Sequence, residues 1–110
     1  MAGLKLAAQG AEDDPILRDS IRPLLGRYNR LVNYGRLQHE AAEYCVEAIE
    51  RLYPEDVNAV IGAWLDFAHG VVRQGRPARG RAVLDRLWEL YPDFRRQYAK
   101  ALLAFCRFFN

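Results

Sequence analysis

The stretch Val57-Asn-Ala-Val-Ile-Gly-Ala-Trp64-Leu-Asp-Phe67-Ala68-His-Gly-Val71-Val-Arg73, followed by Gln-Gly75-Arg-Pro77 and closed by Leu84-Asp-Arg-Leu87-Trp-Glu-Leu-Tyr-Pro92, decides the fold. Val57, Val60, Ile61, Trp64, Phe67, Ala68 and Val71 recur every three or four residues, the period of one helical face. Glu55 and Asp56 suit a first turn, and Gly75 suits a C-terminal cap. Pro77 opens a second helix whose stripe is Val83, Leu84, Leu87, Leu90 and Tyr91, and Pro92 stops it. Gly62 and Gly70 fall inside the first of these helices. Each weakens it by up to about 1 kcal/mol relative to alanine, so close helix packing is the expected compensation.

The same punctuation continues on both sides. Asp14 before Pro15 is a cap followed by a proline at the first helical position. A helix is predicted from there to about Tyr34, with Leu17, Ile21, Leu24, Leu25, Tyr28, Leu31 and Val32 on its apolar face, Pro23 kinking or splitting it, and Gly35 as its cap. A second helix spans about Leu37 to Tyr53, with Ala42, Cys45, Val46, Ile49 and Leu52 on one stripe and Glu40, Glu43, Glu47 and Glu50 on another. The acidic stripe reads as a solvated outer face or as a cation or partner site. A fifth helix begins after Asp93 and runs to the end. Residues 1–13 have no apolar period and are predicted to form a flexible segment ahead of one domain over 14–110. No segment alternates with period two. The prediction is all-α, with about five helices in antiparallel hairpins.

Composition agrees. The 110 residues include one Ser (Ser20) and no Thr, residues that strand- and turn-rich proteins use heavily. Arg outnumbers Lys 14 to 2, an association with GC-rich bacterial coding. The longest charge-free run, Val57–Leu65, is far shorter than the roughly 20 residues of a spanning helix. No export signal is read at the N-terminus, so a cytoplasmic protein is expected. Cys45 and Cys106 fall on apolar stripes as reduced core thiols.

Leu52-Tyr53-Pro54-Glu55 and Leu90-Tyr91-Pro92-Asp93 echo one another 38 residues apart. Trp64-x2-Phe67-Ala68-x2-Val71, then Gly75, Gly80, Leu84, Leu87 and Pro92, resembles the tetratricopeptide repeat, whose first helix reads Trp-x2-Leu-Gly-x2-Tyr and whose last position is Pro. The likeness is best over 61–94. Half a repeat precedes it (Ala42, Val46, Ile49, Pro54), and the first helix of a third follows it (Tyr98, Ala101, Leu102, Phe105). The 38-residue step is four longer than the family period. The resemblance implies a binding face built from the first helix of each repeat: Gly62, Leu65, His69, Val72 and Arg73, then Arg96, Ala99, Leu103, Cys106 and Arg107. Members that clamp a terminal carboxylate carry Lys and Asn where Leu65 and His69 stand, so that activity is not implied. Small type III secretion chaperones are similar in length class and repeat type.

Chemistry is sparse. His39 and His69 have no His or Cys three or four residues away, which excludes zinc-type spacing; His39 reads as a surface histidine. Ser20 lacks a nucleophile-elbow context, and Gly75-Arg-Pro-Ala-Arg-Gly80 lacks the Lys-Ser/Thr ending of a phosphate loop. No enzyme, cofactor or metal is expected. Residues 1–50 carry a net charge of −2 and residues 51–110 a net of +4. Arg73, Arg76, Arg79, Arg81 and Arg86 cluster against Asp85, either as a phosphate or acidic-partner site or as a solvated turn.

The predicted fifth helix is apolar nearly all round. Either the other helices wrap it or a partner does, through Leu103, Phe108 and Phe109. The sequence therefore predicts an interaction adaptor or small chaperone for an amphipathic or apolar segment. The alternatives are a homo-oligomeric subunit docked through the C-terminal helix and, third, a nucleic-acid binder using the Arg73–Arg86 cluster.

Overall fold

In the computed structural model, which describes residues 2–32 and 39–109, the chain is all-α. Six helices follow one another: α1 (Ala2–Ala11), α2 (Pro15–Val32), α3 (His39–Leu52), α4 (Val57–Arg73), α5 (Pro77–Leu90) and α6 (Arg95–Phe109), with a short 3-10 turn over Pro92–Phe94. No strand occurs among the described residues.

The caps follow from the local chemistry. Asp14 Oδ1 accepts from the amides of Ile16 (3.0 Å) and Leu17 (3.2 Å), starting α2. Asp56 does the same for α4 through Ala59 N (3.1 Å), and that bond and Arg22 hold its carboxyl below the usual range. At the end of α4, Gly75 turns to φ +85°. Its amide bonds Val72 O, and the amide of Arg76 bonds Val71 O at 2.9 Å. This double closure needs a left-handed residue, which glycine adopts without a Cβ clash. The predicted end near Tyr34, the Gly35 cap and the start at Leu37 lie outside the described residues.

Successive helices pack as neighbours, and α2 also meets α4 and α4 meets α6. The result is two layers: α2, α4 and α6 on one side, and α1, α3 and α5 on the other. They spread over 43 × 30 × 16 Å. Between the layers lie Leu25, Cys45, Val46, Tyr53, Val60, Trp64, Phe67, Leu84, Leu87 and Phe94, all buried. The starts of α4 and α6 are 38 residues apart, the spacing of Pro54 and Pro92.

Several expectations are corrected. The segment before Asp14 holds a helix, α1, packed on α2. Among its described side chains the buried ones, Ala8 and Ala11, are too small to make a visible apolar period. Of the two expectations for Pro23, splitting does not occur: α2 runs unbroken to Val32, with Pro23 on its exposed side, where the Asp19 carbonyl it leaves unpaired also lies on exposed surface. Gly62 is not a close-approach residue, because a Cβ there would meet nothing within 4 Å. The close approach is at Gly80 instead, where a Cβ would stand 2.2 Å from Val72 Cγ2.

The acidic stripe of α3 is not simply solvated. Glu43 binds Arg79 at 2.6 Å, and Glu50 binds Arg86 at 3.0 and 3.3 Å. The two pairs advance together along α3 and α5, so these helices run in the same sense. Arg79 also lies over the Phe67 ring and Arg86 over the Trp64 ring, 5.4 and 4.9 Å from the centroids. Both pairs are partly exposed. A double-mutant cycle of Glu50→Gln with Arg86→Met, read by urea unfolding, is expected to give a coupling of about 0.5–1 kcal/mol that shrinks in high salt.

Candidate functional site

The layer of α2, α4 and α6 carries a groove between α2 and α4. Asn29 Nδ2 donates to Ala63 O at 3.4 Å, and Arg22 reaches Asp56, so both contacts join residues 34 apart and the two helices run parallel. Along the seam, α2 presents Arg22, Gly26, Asn29 and Arg30, and α4 presents Ala59, Gly62, Ala63 and Asp66. Four of these eight are Gly or Ala. The missing side-chain volume opens a groove of about 350 Å³, reaching back to Ile49 and Tyr53.

Its base has one feature of unusual chemistry. Asn29 is 3% exposed, the one buried polar residue among the described residues, and its Oδ1 has no hydrogen-bond partner. A buried acceptor without a donor costs about 1–3 kcal/mol. That oxygen lies just beneath the groove lining, covered from solvent.

One end of the groove is fixed by a polar junction. Arg18 donates to Leu52 O at 3.5 Å and pairs with Glu55 at 3.6 Å. Arg18 and Arg22 lie against the Tyr53 ring, 6.0 and 5.1 Å from its centroid, and Tyr53 donates its hydroxyl to Arg18 O. Burial raises the Tyr53 hydroxyl pKa, so it stays a proton donor through neutral pH.

The binding residues expected from the sequence are distributed unevenly. His69 and Arg73 continue the α4 stripe of Ala59, Gly62 and Asp66 at helical spacing; His69 is half-buried and Arg73 exposed. Leu65 is half-buried and packs on the core. Val72 does not line an open face: it is 2% exposed and wedged against Gly80 in the α4–α5 crossing, a correction the close approach of those two helices requires. On α6, Arg96, Ala99 and Leu103 are exposed, Leu103 at 72%. Phe108, Phe109, Cys106 and His39 lie outside the residues whose side chains are described.

The whole α2 contribution was missed from the sequence. The available signal was Asn29, a polar residue at helical spacing from Ile21 and Leu25 on the apolar stripe.

The arginine cluster is largely engaged within the chain. Arg79 and Arg86 hold α3, and Arg81 pairs with Asp85 at 3.1 Å. Tyr98 also donates to Asp85; that bond and Arg81 keep the Asp85 carboxyl below its ordinary range. Between α3 and α5 lies a second cleft of about 490 Å³, lined by Glu47, Glu50, Arg51, Trp64, Arg79, Val83 and Arg86. Burial pushes the Cys45 thiol up to about 12, which leaves it protonated and unreactive at neutral pH. Among the described residues no group of His, Cys, Asp and Glu could hold a metal ion. Nor is any helix there long and apolar enough to cross a membrane.

Comparison with family models, curated proteins and solved structures finds no match to this chain.

Proposed function

We propose that the chain is a peptide-binding adaptor or small chaperone of the tetratricopeptide-like type, taking a segment of a partner protein along the α2–α4–α6 layer. The observation that carries this reading is the α2–α4 groove with the unpartnered Asn29 Oδ1 beneath it. Gly26, Ala59, Gly62 and Ala63 let a partner's main chain come close, and Asn29 accepts a main-chain or side-chain N–H. Arg22, Arg30 and Asp66 supply the polar rim. The layering adds support, since each helix of this face lies beside the next. A nucleic-acid role is less well supported, because Arg79, Arg81 and Arg86 are engaged with carboxylates of the chain itself.

The test is selection of peptides from a displayed random library on the immobilised chain, followed by titration. Gly62→Leu fills the groove where a side chain meets nothing in the fold. It is expected to leave the unfolding midpoint unchanged or slightly raised and to weaken selected peptides by tenfold or more. Asn29→Leu removes the acceptor at similar volume, keeps stability within about 1 kcal/mol and weakens the same peptides. Peptides that bind both variants as well as the parent chain would overturn the reading.

A further inference from the structure

Charge is divided unequally between the two layers. Over the described side chains, α2, α4 and α6 carry eight basic and two acidic groups, a net of +6. The layer of α1, α3 and α5 carries five basic and six acidic groups, a net of −1.

Pairing follows the same division. Arg51, Arg79, Arg81 and Arg86 of the second layer each hold a carboxylate, at 2.6 to 3.1 Å. In the α2–α4–α6 layer, Glu55 and Asp56 at the head of α4 take Arg18 and Arg22. Arg30, Arg96 and Lys100 are exposed and pair with no carboxylate among the described residues. Against them the layer sets Asp19, exposed near the start of α2, and Asp66, half-buried in the groove. A fold that neutralises the arginines of one layer thus keeps a positive surplus on the other, and an anionic partner relieves that self-repulsion.

The surplus borders the α2–α4 groove. Arg30 lines it directly, two turns of helix beyond Arg22. Arg96 and Lys100 stand on α6, which lies beside α4 in the same layer. The lining favours a polypeptide over a nucleic acid. Gly26, Ala59, Gly62 and Ala63 leave room for a main chain and its small side chains. The described rings of this layer offer no platform for stacked bases: Trp64 and Phe67 are buried, Tyr28 packs on the core, and Tyr98 is half-buried with its hydroxyl on Asp85.

We infer that the partner segment is acidic. It is a stretch of polypeptide whose small or apolar residues sit in the α2–α4 groove. Its Asp or Glu side chains reach Arg30 and, across α4, Arg96 and Lys100. The inference rests on the peptide-binding reading and adds to it the sign of the partner's charge.

The test offers the full chain three displayed peptide libraries of equal apolar content, one acidic, one neutral and one basic, and titrates the selected peptides by fluorescence anisotropy. Acidic peptides are expected to dominate the selection and to lose about tenfold in affinity between low and physiological salt. Arg30→Glu and Lys100→Glu, both at exposed positions, are expected to keep the parent circular dichroism. Each is expected to weaken the acidic peptides about fivefold or more, chiefly by slowing association. The double variant is expected to prefer the basic library. If a reversal disturbs the fold, Arg30→Gln and Lys100→Gln serve instead, with a smaller loss and a flatter salt dependence. Gly62→Leu separates this inference from the reading it rests on. Neutral or basic peptides that Gly62→Leu blocks would keep the groove and overturn the acidic partner. Acidic peptides that the charge reversals weaken and Gly62→Leu does not would keep the acidic partner and overturn the groove. A single-stranded oligonucleotide that displaces a selected acidic peptide at equal charge would assign the layer to nucleic acid and overturn the inference. A chain that selects no peptide would overturn both.

Discussion

Trp64→Ala is expected to cost about 3–5 kcal/mol, the usual range for truncating a core aromatic. A domain of this size has only about 5–15 kcal/mol in total, so a large part of the population unfolds at moderate temperature. The ring is 4% exposed and meets Phe67 edge-on, with centroids 5.7 Å apart at 86°. Its Nε1 donates to Glu50, the carboxylate that also holds Arg86, and Arg86 lies over the ring face. Truncation therefore opens a cavity, removes a donor from Glu50 and takes away the surface on which Arg86 rests. Trp64→Phe keeps most of the ring and is expected to cost much less. Urea unfolding followed by far-ultraviolet circular dichroism measures both, and a loss below about 1 kcal/mol for the alanine variant would contradict a core role. Trp88, 39% exposed and packed on Tyr98, supplies the internal contrast. Acrylamide is expected to quench a chain retaining only Trp88 strongly and a chain retaining only Trp64 weakly.

Why the helices could be read from the sequence, and the groove could not, has a physical answer. The punctuation that bounds α2, α4 and α5 is local: Asp14-Pro15, Asp56, Gly75, Pro77 and Pro92 each act through their own backbone or the next turn. α1 escaped because Ala8 and Ala11 bury little area each, so their burial leaves almost no trace in a hydropathy pattern. The α3 carboxylates and the α5 guanidinium groups were each visible as a charged stripe, and each alone reads as a solvated face. Only the three-dimensional register, which sets Glu43 beside Arg79 and Glu50 beside Arg86, turns them into pairs. The groove is likewise a property of two helices together. Gly62 was placed on the binding face by the repeat resemblance, but Gly26 is unremarkable until the parallel packing of α2 and α4 sets it across the seam from Gly62, with Asn29 below.

Gly80→Ala is the second large effect, and its sign runs against helix propensity. In an exposed helix the change gains up to about 1 kcal/mol. Here the residue is buried in the first turns of α5 where that helix crosses α4. An added Cβ would stand 2.2 Å from Val72 Cγ2, 3.6 Å from Val72 Cβ and 3.2 Å from the carbonyl oxygen of Ala68. Val72 is itself buried and branched at Cβ, so its methyl has few places to turn. The Ala68 oxygen is backbone and moves only if α4 moves. The methyl group must therefore push the two helices apart, an overpacking cost of about 1–3 kcal/mol that outweighs the propensity gain. Val72→Ala in the same chain removes the nearer obstacle and is expected to return a large part of the loss, although Val72→Ala alone is destabilising. A urea-unfolding cycle over the four chains reads this as a coupling of opposite sign to either single change. A stabilised Gly80→Ala variant would mean that the α4–α5 crossing yields easily, and with it the rigidity that holds His69 and Arg73 in line with the groove.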